Sequence, residues 1–237
     1  MNTLLLMMGG SGTRMGAARP KQYIEINGKP VFWYIVKGYA SIAEIDHICI
    51  VSHADWVPYV RDSIRDIAFR EAILVTPGGE NRSQSIRNGL HAIEPFSQEE
   101  DVVMMHDATH PYVDREGTLE IIQAVKTYGG ATLGARQYDT CYRMDEALML
   151  TNVIPRQEIV SGASPEAFRY GDMKKIYFGA SDEELASMTS AGAIALAHQI
   201  PMKVVPTKIL NLKLTYPEDL ELFRTLLDGY FLEGKRL

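Results

Sequence analysis

Cysteine, basic excess and long apolar runs are all scarce in this chain of 237 residues. Cys49 and Cys141 are its two cysteines. They make no disulfide framework, and no Cys/His spacing resembles a zinc site. Both read as free, packed or surface thiols. Lys and Arg number 24 against 30 Asp and Glu, a formal charge of -6. No Lys/Arg stripe is present, which argues against nucleic acid as a partner. Phosphate, if bound, is held by a few local cations. The apolar run at 4–8 falls far short of a membrane span, and Met1-Asn2-Thr3 lacks a basic signal-peptide start. The expected setting is the cytosol, with no membrane partner. Repeats, low-complexity tracts and clear linkers are also missing, so a single domain over 1–237 is expected.

What is present is alternation. Short apolar runs at 4–8, 47–51, 72–76 and 101–105 predict buried strands. Amphipathic stretches at 30–40, 55–69, 81–93 and 114–128 predict helices between them. This order implies an α/β fold, a Rossmann-like, doubly wound, mostly parallel sheet covered on both faces. Ligands of such sheets lie beyond the carboxyl ends of the strands, where Gly9, Gly78 and His106-Asp107 fall. From about 131 the helix period disappears. Short strands at 131–137 and 140–144, then Asn152 to Pro155, predict a protruding β-arm over about 137–162. Helices at 165–178 and 183–198, strands at 202–205 and 210–214, and a helix from Pro217 complete the expectation.

Three segments carry chemistry. The first is Gly9-Gly10-Ser11-Gly12-Thr13-Arg14-Met15-Gly16, followed by Arg19-Pro20-Lys21-Gln22. Glycines let backbone N–H groups approach an anion closely, and Arg14 and Lys21 add full charges. A Walker loop would need Gly-Lys-Ser/Thr before a helix, which is absent. A dinucleotide fingerprint would need one residue fewer between Gly12 and Gly16. A nucleotidyltransferase loop wrapping a triphosphate is the third reading, and a tight turn with solvated cations the plain one. The second segment is His106-Asp107-Ala108-Thr109-His110-Pro111. Asp107, at a strand end, suits a Mg²⁺ ligand, since magnesium takes one or two carboxylates plus phosphate oxygens. The plainer alternative is a cap for the helix near Asp114 or a residue that holds a turn. His106 reads more readily as a packed core histidine than as a base. The third is Gly78-Gly79-Glu80-Asn81-Arg82-Ser83-Gln84-Ser85, either a base- or ribose-facing turn or a simple helix cap.

Together, in this order, the segments resemble the 2-C-methyl-D-erythritol 4-phosphate cytidylyltransferases and the related ribitol-5-phosphate cytidylyltransferases, over nearly the whole chain. Asp139-Thr140 and Leu212-Lys213-Leu214-Thr215-Tyr216-Pro217-Glu218-Asp219-Leu220 extend the match. The resemblance implies a GT-A-like nucleotidyltransferase that moves CMP from CTP to a polyol phosphate and releases pyrophosphate. It implies that Arg14, Lys21, Asp107 and Lys213 are catalytic, with Asp107 the Mg²⁺ ligand. Gly9, Gly10, Ser11, Gly12, Thr13, Gly79, Glu80 and Ser85 would bind the nucleotide. His110, Thr140, Arg156 and Thr189 would bind the acceptor, Thr140 and Arg156 reaching the neighbouring subunit of a homodimer clasped by the arms.

Three departures fall on the acceptor side. His110 replaces the family's Arg, Ser164-Pro165-Glu166 replaces Thr-Pro-Gln, and Thr189-Ser190-Ala191-Gly192 replaces a Thr-Asp-acidic/Ala-Ala/Cys pattern. An imidazole grips an anion less firmly than a guanidinium fork. Retained nucleotide chemistry with an open acceptor identity is the simplest inference. The rival readings are a sugar-phosphate uridylyl- or guanylyltransferase, a CTP-binding sensor or scaffold that turns nothing over, and a dehydrogenase.

Overall fold

The apolar run after Met1 forms β1 (Asn2–Met8), whose residues 3–8 are all buried. The structure, a computed structural model, describes residues 1–9, 19–187 and 190–227. A small hairpin, β2 (Glu25–Ile26) and β3 (Lys29–Pro30), leads into α1 (Val31–Ala40), with Pro30 as its N-cap. Then follow β4 (His47–Ser52), α2 (Val57–Ser63), β5 (Leu74–Pro77), α3 (Arg82–Ile93), β6 (Val102–Asp107), α4 (Arg115–Tyr128) and β7 (Gly130–Arg136). The excursion is a hairpin, β8 (Cys141–Met144) with β9 (Leu150–Ile154). The chain returns as β10 (Val160–Arg169), α5 (Tyr170–Gly179), α6 (Asp182–Ser187), α7 (Ala191–Ala197), β11 (Met202–Pro206) and α8 (Pro217–Leu226).

Seven strands make the main sheet in the order β11-β7-β10-β6-β1-β4-β5. All neighbouring pairs are parallel except those of β10, which is antiparallel to both β6 and β7. From β1 the chain winds outward through β4 and β5, then crosses back to lay β6 on the other side of β1. That reversal opens a crevice at the carboxyl ends of β1 and β6, where Met7 pairs with Asp107. Alternate residues of β1 feed two cores. Leu4, Leu6 and Met8 pack with Phe32 and Ile35 of α1 and Ile121 of α4. Leu5 and Met7 pack with Ile86 and Leu90 of α3 and Met173 of α5. A third cluster seats Leu220 and Phe223 of α8, with Leu212 and Leu214, against Val31 and Tyr112.

Several expected elements are redrawn. Residues 165–169 are not helical: they complete β10, and the helix begins at Tyr170. Ala163, Pro165 and Ala167 are buried in alternation, the period of a strand. The helix expected over 183–198 is two helices; Ser190 caps the second by accepting from Ala193 N at 3.1 Å. Residues 210–214 join no sheet. Their alternation is one-sided burial of Leu212 and Leu214 without a ladder partner. The helix expected over 55–69 ends its regular part at Ser63; Asp66, just beyond it, accepts from Trp33 Nε1 at 2.8 Å and Lys29 Nζ at 2.6 Å. Residues 131–136 and 160–162 belong to the main sheet, which narrows the arm to the hairpin and its two stems.

Candidate active site

Two glycine-bearing turns meet at the crevice. Gly9 follows β1, and Gly78 and Gly79 follow β5. The Ser85 hydroxyl lies between them. A Cβ at Gly9 would stand 2.9 Å from Ser85 Oγ, and one at Gly78 would stand 2.7 Å away. Neither site admits a side chain without moving Ser85. Ser85 Oγ accepts from Gly79 N at 3.0 Å and donates to Asn81 O at 2.9 Å. Asn81 caps α3 by accepting from Gln84 N at 2.9 Å. Glu80 is exposed, its N–H bonded to Gln84 Oε1 at 2.9 Å. This rim is therefore built from backbone held by short side chains, the form that leaves N–H groups close to a ligand.

Asp107 closes β6 as a half-buried carboxylate. Its partner is Arg82, the first residue of α3, whose Nη1 donates to Asp107 Oδ1. Because β10 runs antiparallel, its early residues reach the same rim. Asp107 N donates to Ser164 Oγ at 3.3 Å, and Glu166 pairs with Met105. Asp107 and Glu166 therefore share one face of the sheet. Burial pushes the Glu166 carboxyl above the usual range, opposed by Arg82 and reinforced by Asp107. The backbone N–H of Gly192 also favours its ionised form. A Cβ at Gly192 would lie 2.6 Å from Glu166 Oε1.

Two lysines arrive from distant sequence. Lys21, almost fully buried, donates from Nζ to Leu214 O at 2.5 Å. Leu214 N donates to Thr109 O at 2.8 Å, tying the last segment to the loop after β6. Between the buried Leu212 and Leu214, Lys213 is exposed. His110 is buried beside it, and burial first, then His106 and Lys213, push the imidazole down to about 4. His110 is therefore neutral at pH 7. His106 is a core residue: its Nε2 is 2.7 Å from His110 O and its Nδ1 2.8 Å from Tyr39 OH. A carbonyl only accepts, so Nε2 carries the proton and Nδ1 accepts from the tyrosine. Burial pushes this ring down to about 4 as well.

Of the residues singled out in the sequence, Gly9, Gly79, Ser85, Lys21, Asp107, His110 and Lys213 thus converge on one crevice. Gly10, Ser11, Gly12, Thr13, Arg14 and Thr189 lie outside the described residues. Thr140 and Arg156 are exposed at the base of the hairpin, where Arg156 Nη1 donates to Tyr138 O at 2.5 Å. Sequence reasoning missed Arg82 as a site residue, although Gly-Gly-x-x-Arg placed it at the helix start. It treated Glu166 as a departure without seeing its neighbours. Among the described residues no three His, Cys, Asp or Glu side chains gather as a metal cage. The donor chemistry at Asp107 fits a cation that brings phosphate oxygens with it, because one carboxylate is then enough.

The 2-C-methyl-D-erythritol 4-phosphate cytidylyltransferase (IspD) family model matches residues 3–228. The chain belongs to this family of cytidylyltransferases. It is a nucleotidyltransferase by that membership. The 2-C-methyl-D-erythritol 4-phosphate cytidylyltransferase of Thermotoga neapolitana is 31% identical over 229 residues, 95% of this chain and 96% of the relative. A ribitol-5-phosphate cytidylyltransferase of Streptococcus agalactiae is 26% identical over 230 residues, 97% of this chain and 96% of the relative. In fold, the crystal structure of the 4-diphosphocytidyl-2C-methyl-D-erythritol synthase of Anaerococcus prevotii matches with a TM-score of 0.80 at 23% identity, covering 96% of each chain. That structure and this chain thus share one fold. No helix among the described residues is long and apolar enough to cross a membrane.

Proposed function

We propose that this member of the family transfers CMP from CTP to a polyol phosphate of the methylerythritol or ribitol type and releases pyrophosphate. The observation that carries the reading is the convergence of Lys21, Lys213 and the Gly9/Gly78–Ser85 rim around Asp107 at the sheet's reversal point. A phosphate oxygen of the acceptor attacks the α-phosphorus of CTP. The new P–O bond forms as the bond from the α-phosphorus to the bridging oxygen breaks, and pyrophosphate leaves with that electron pair. The nucleophile is already ionised, so no general base is needed and the protein's work is positioning and charge. Magnesium, when bound, would neutralise phosphate charge, and Asp107 would hold it. The Lys21 ammonium, fixed on Leu214 O, aligns the segment that carries Lys213 and adds positive charge beside the crevice.

The hairpin supports a homodimer. Tyr142, Met144, Leu148, Met149, Leu150 and Val153 are all exposed on it. An apolar arm standing off the core calls for a cover, and a second copy of the chain would supply one and bring Thr140 and Arg156 to its neighbour's site. The activity is tested by pyrophosphate release with CTP, UTP or GTP and a panel of alditol phosphates. Release with CTP and one alditol phosphate is expected. CTP binding with no release for any acceptor would favour a sensor and overturn the transferase reading.

A further inference from the structure

Arg82 stands between two acids. Its guanidinium is bonded to Asp107, and its charge is the main influence holding the Glu166 carboxyl down against burial. The register puts Glu166 opposite Met105, two residues before Asp107 on the same face of β6. Such diagonal neighbours lie roughly 7–8 Å apart, within the sweep of a long side chain. Glu166 lies against Gly192, whose backbone N–H favours the ionised carboxyl and whose missing Cβ leaves it room. Tyr177 completes the setting. It is fully buried, its hydroxyl has no hydrogen-bond partner among the described residues, and it feels the charges of both Arg82 and Glu166. A buried hydroxyl without a partner is costly, so its position beside Arg82 and Glu166 marks where a donor or acceptor arrives.

We propose that Arg82 has two docks, Asp107 and Glu166, and that Glu166 is a positioning residue which takes the guanidinium when a metal–nucleotide complex claims Asp107. The inference rests on the reading of Asp107 as the metal-holding acid. A guanidinium and a divalent cation repel each other when both lie on one carboxylate. Without a second dock Arg82 would compete with the cation for Asp107; with Glu166 available it moves aside, stays ordered and gives Tyr177 a neighbour to bond.

The test is Mn²⁺ uptake by the CTP-mixed protein without acceptor, read from the free Mn²⁺ signal by electron paramagnetic resonance and compared with CTP alone. Glu166→Gln keeps the shape and removes the charge. It is expected to weaken uptake about tenfold, the lower end of losses seen for partners of metal ligands. Glu166→Asp is expected to recover part of it. In an Arg82→Met background, Glu166→Gln should change uptake by less than about twofold, since no guanidinium needs a second dock. A loss that persists undiminished in that background would make Glu166 itself a ligand and overturn the proposal, as would unchanged uptake in Glu166→Gln alone. If Glu166→Gln folds poorly by its melting temperature, Gly192→Ala serves instead. Its Cβ displaces the carboxylate, and it should weaken uptake in the same direction. Asp107→Asn separates the two layers: loss of protein-dependent uptake there with none in Glu166→Gln defeats only the dock, whereas wild-type uptake in Asp107→Asn defeats the metal reading beneath it.

Discussion

Two rims face each other across Asp107, and they are made of different material. The α3 rim, Gly9 with residues 78–85, is backbone pinned by one hydroxyl, so close that a single Cβ at Gly9 or Gly78 would collide with it. The opposite rim is made of side chains: His110 after β6, Glu166 on β10, and Gly192 on α7 clearing space for Glu166. The family resemblance is retained on the first rim and departs on the second. Physical chemistry accounts for the asymmetry. A rim of backbone N–H groups tolerates almost no change, whereas a rim of side chains can be exchanged in compensating pairs, as a carboxylate at 166 with a bare Cα at 192. Changes near the nucleotide should therefore strike all acceptors alike, and changes on the other rim should alter the preference among them.

The largest expected effect is at Lys21. Its ammonium is buried and bonded to Leu214 O, next to Lys213, and in the proposed reaction it would also meet phosphate charge. Lys21→Met should lower kcat by more than about 10²-fold, the scale of losing one preorganised donor. The loss should be equal for every acceptor that turns over. A loss confined to one acceptor, measured by pyrophosphate release, would break the division between the rims.

His110 tests the other side. Neutral at pH 7 in its buried place beside Lys213, it would offer the proposed acceptor a hydrogen bond but no charge. His110→Arg supplies a fixed, forked cation. The ratio of kcat/KM between methylerythritol phosphate and ribitol 5-phosphate should then shift about tenfold, roughly 1.4 kcal/mol. The KM for CTP should stay within about twofold. A large change in CTP KM with an unmoved acceptor ratio would place His110 on the nucleotide rim instead.

How much of this was legible follows from the same contrast. The parallel framework was readable because β1, β4 and β6 are continuous apolar runs that alternate with the helical stretches α1, α2 and α4. The crevice was readable because glycine and acid fall at strand ends. The antiparallel strand Val160–Arg169 was not, because its second half merges into the helix that starts at Tyr170 and no turn residue separates them. With residues 165–169 read as helix, Glu166 has no reason to lie beside Asp107. The Arg82–Asp107 pair was hidden for a related reason: 25 residues separate them, and only the crossover from β5 through α3 to β6 brings the helix start to the strand end. Residues 210–214 show the reverse error, a strand period produced by burial on one side with no ladder behind it.

The smallest expected effect is the sharpest test of the backbone-built rim. Ser85→Ala removes the acceptor for Gly79 N and the donor to Asn81 O, yet adds no bulk. It should weaken CTP binding by about fivefold, near 1 kcal/mol for one hydrogen bond, and leave kcat and acceptor KM nearly unchanged. Ser85→Thr keeps the hydroxyl and adds a methyl to a side chain that already fills the space beside Gly9 and Gly78. If that rim is as close-packed as its geometry indicates, the threonine variant should bind CTP more weakly than the alanine one, because displaced backbone costs more than one lost bond. Calorimetric titration with CTP decides the order. A threonine variant that binds as tightly as the parent chain would mean the rim has room to give, and the reason offered for its retained sequence would fail while the departures opposite it still stood.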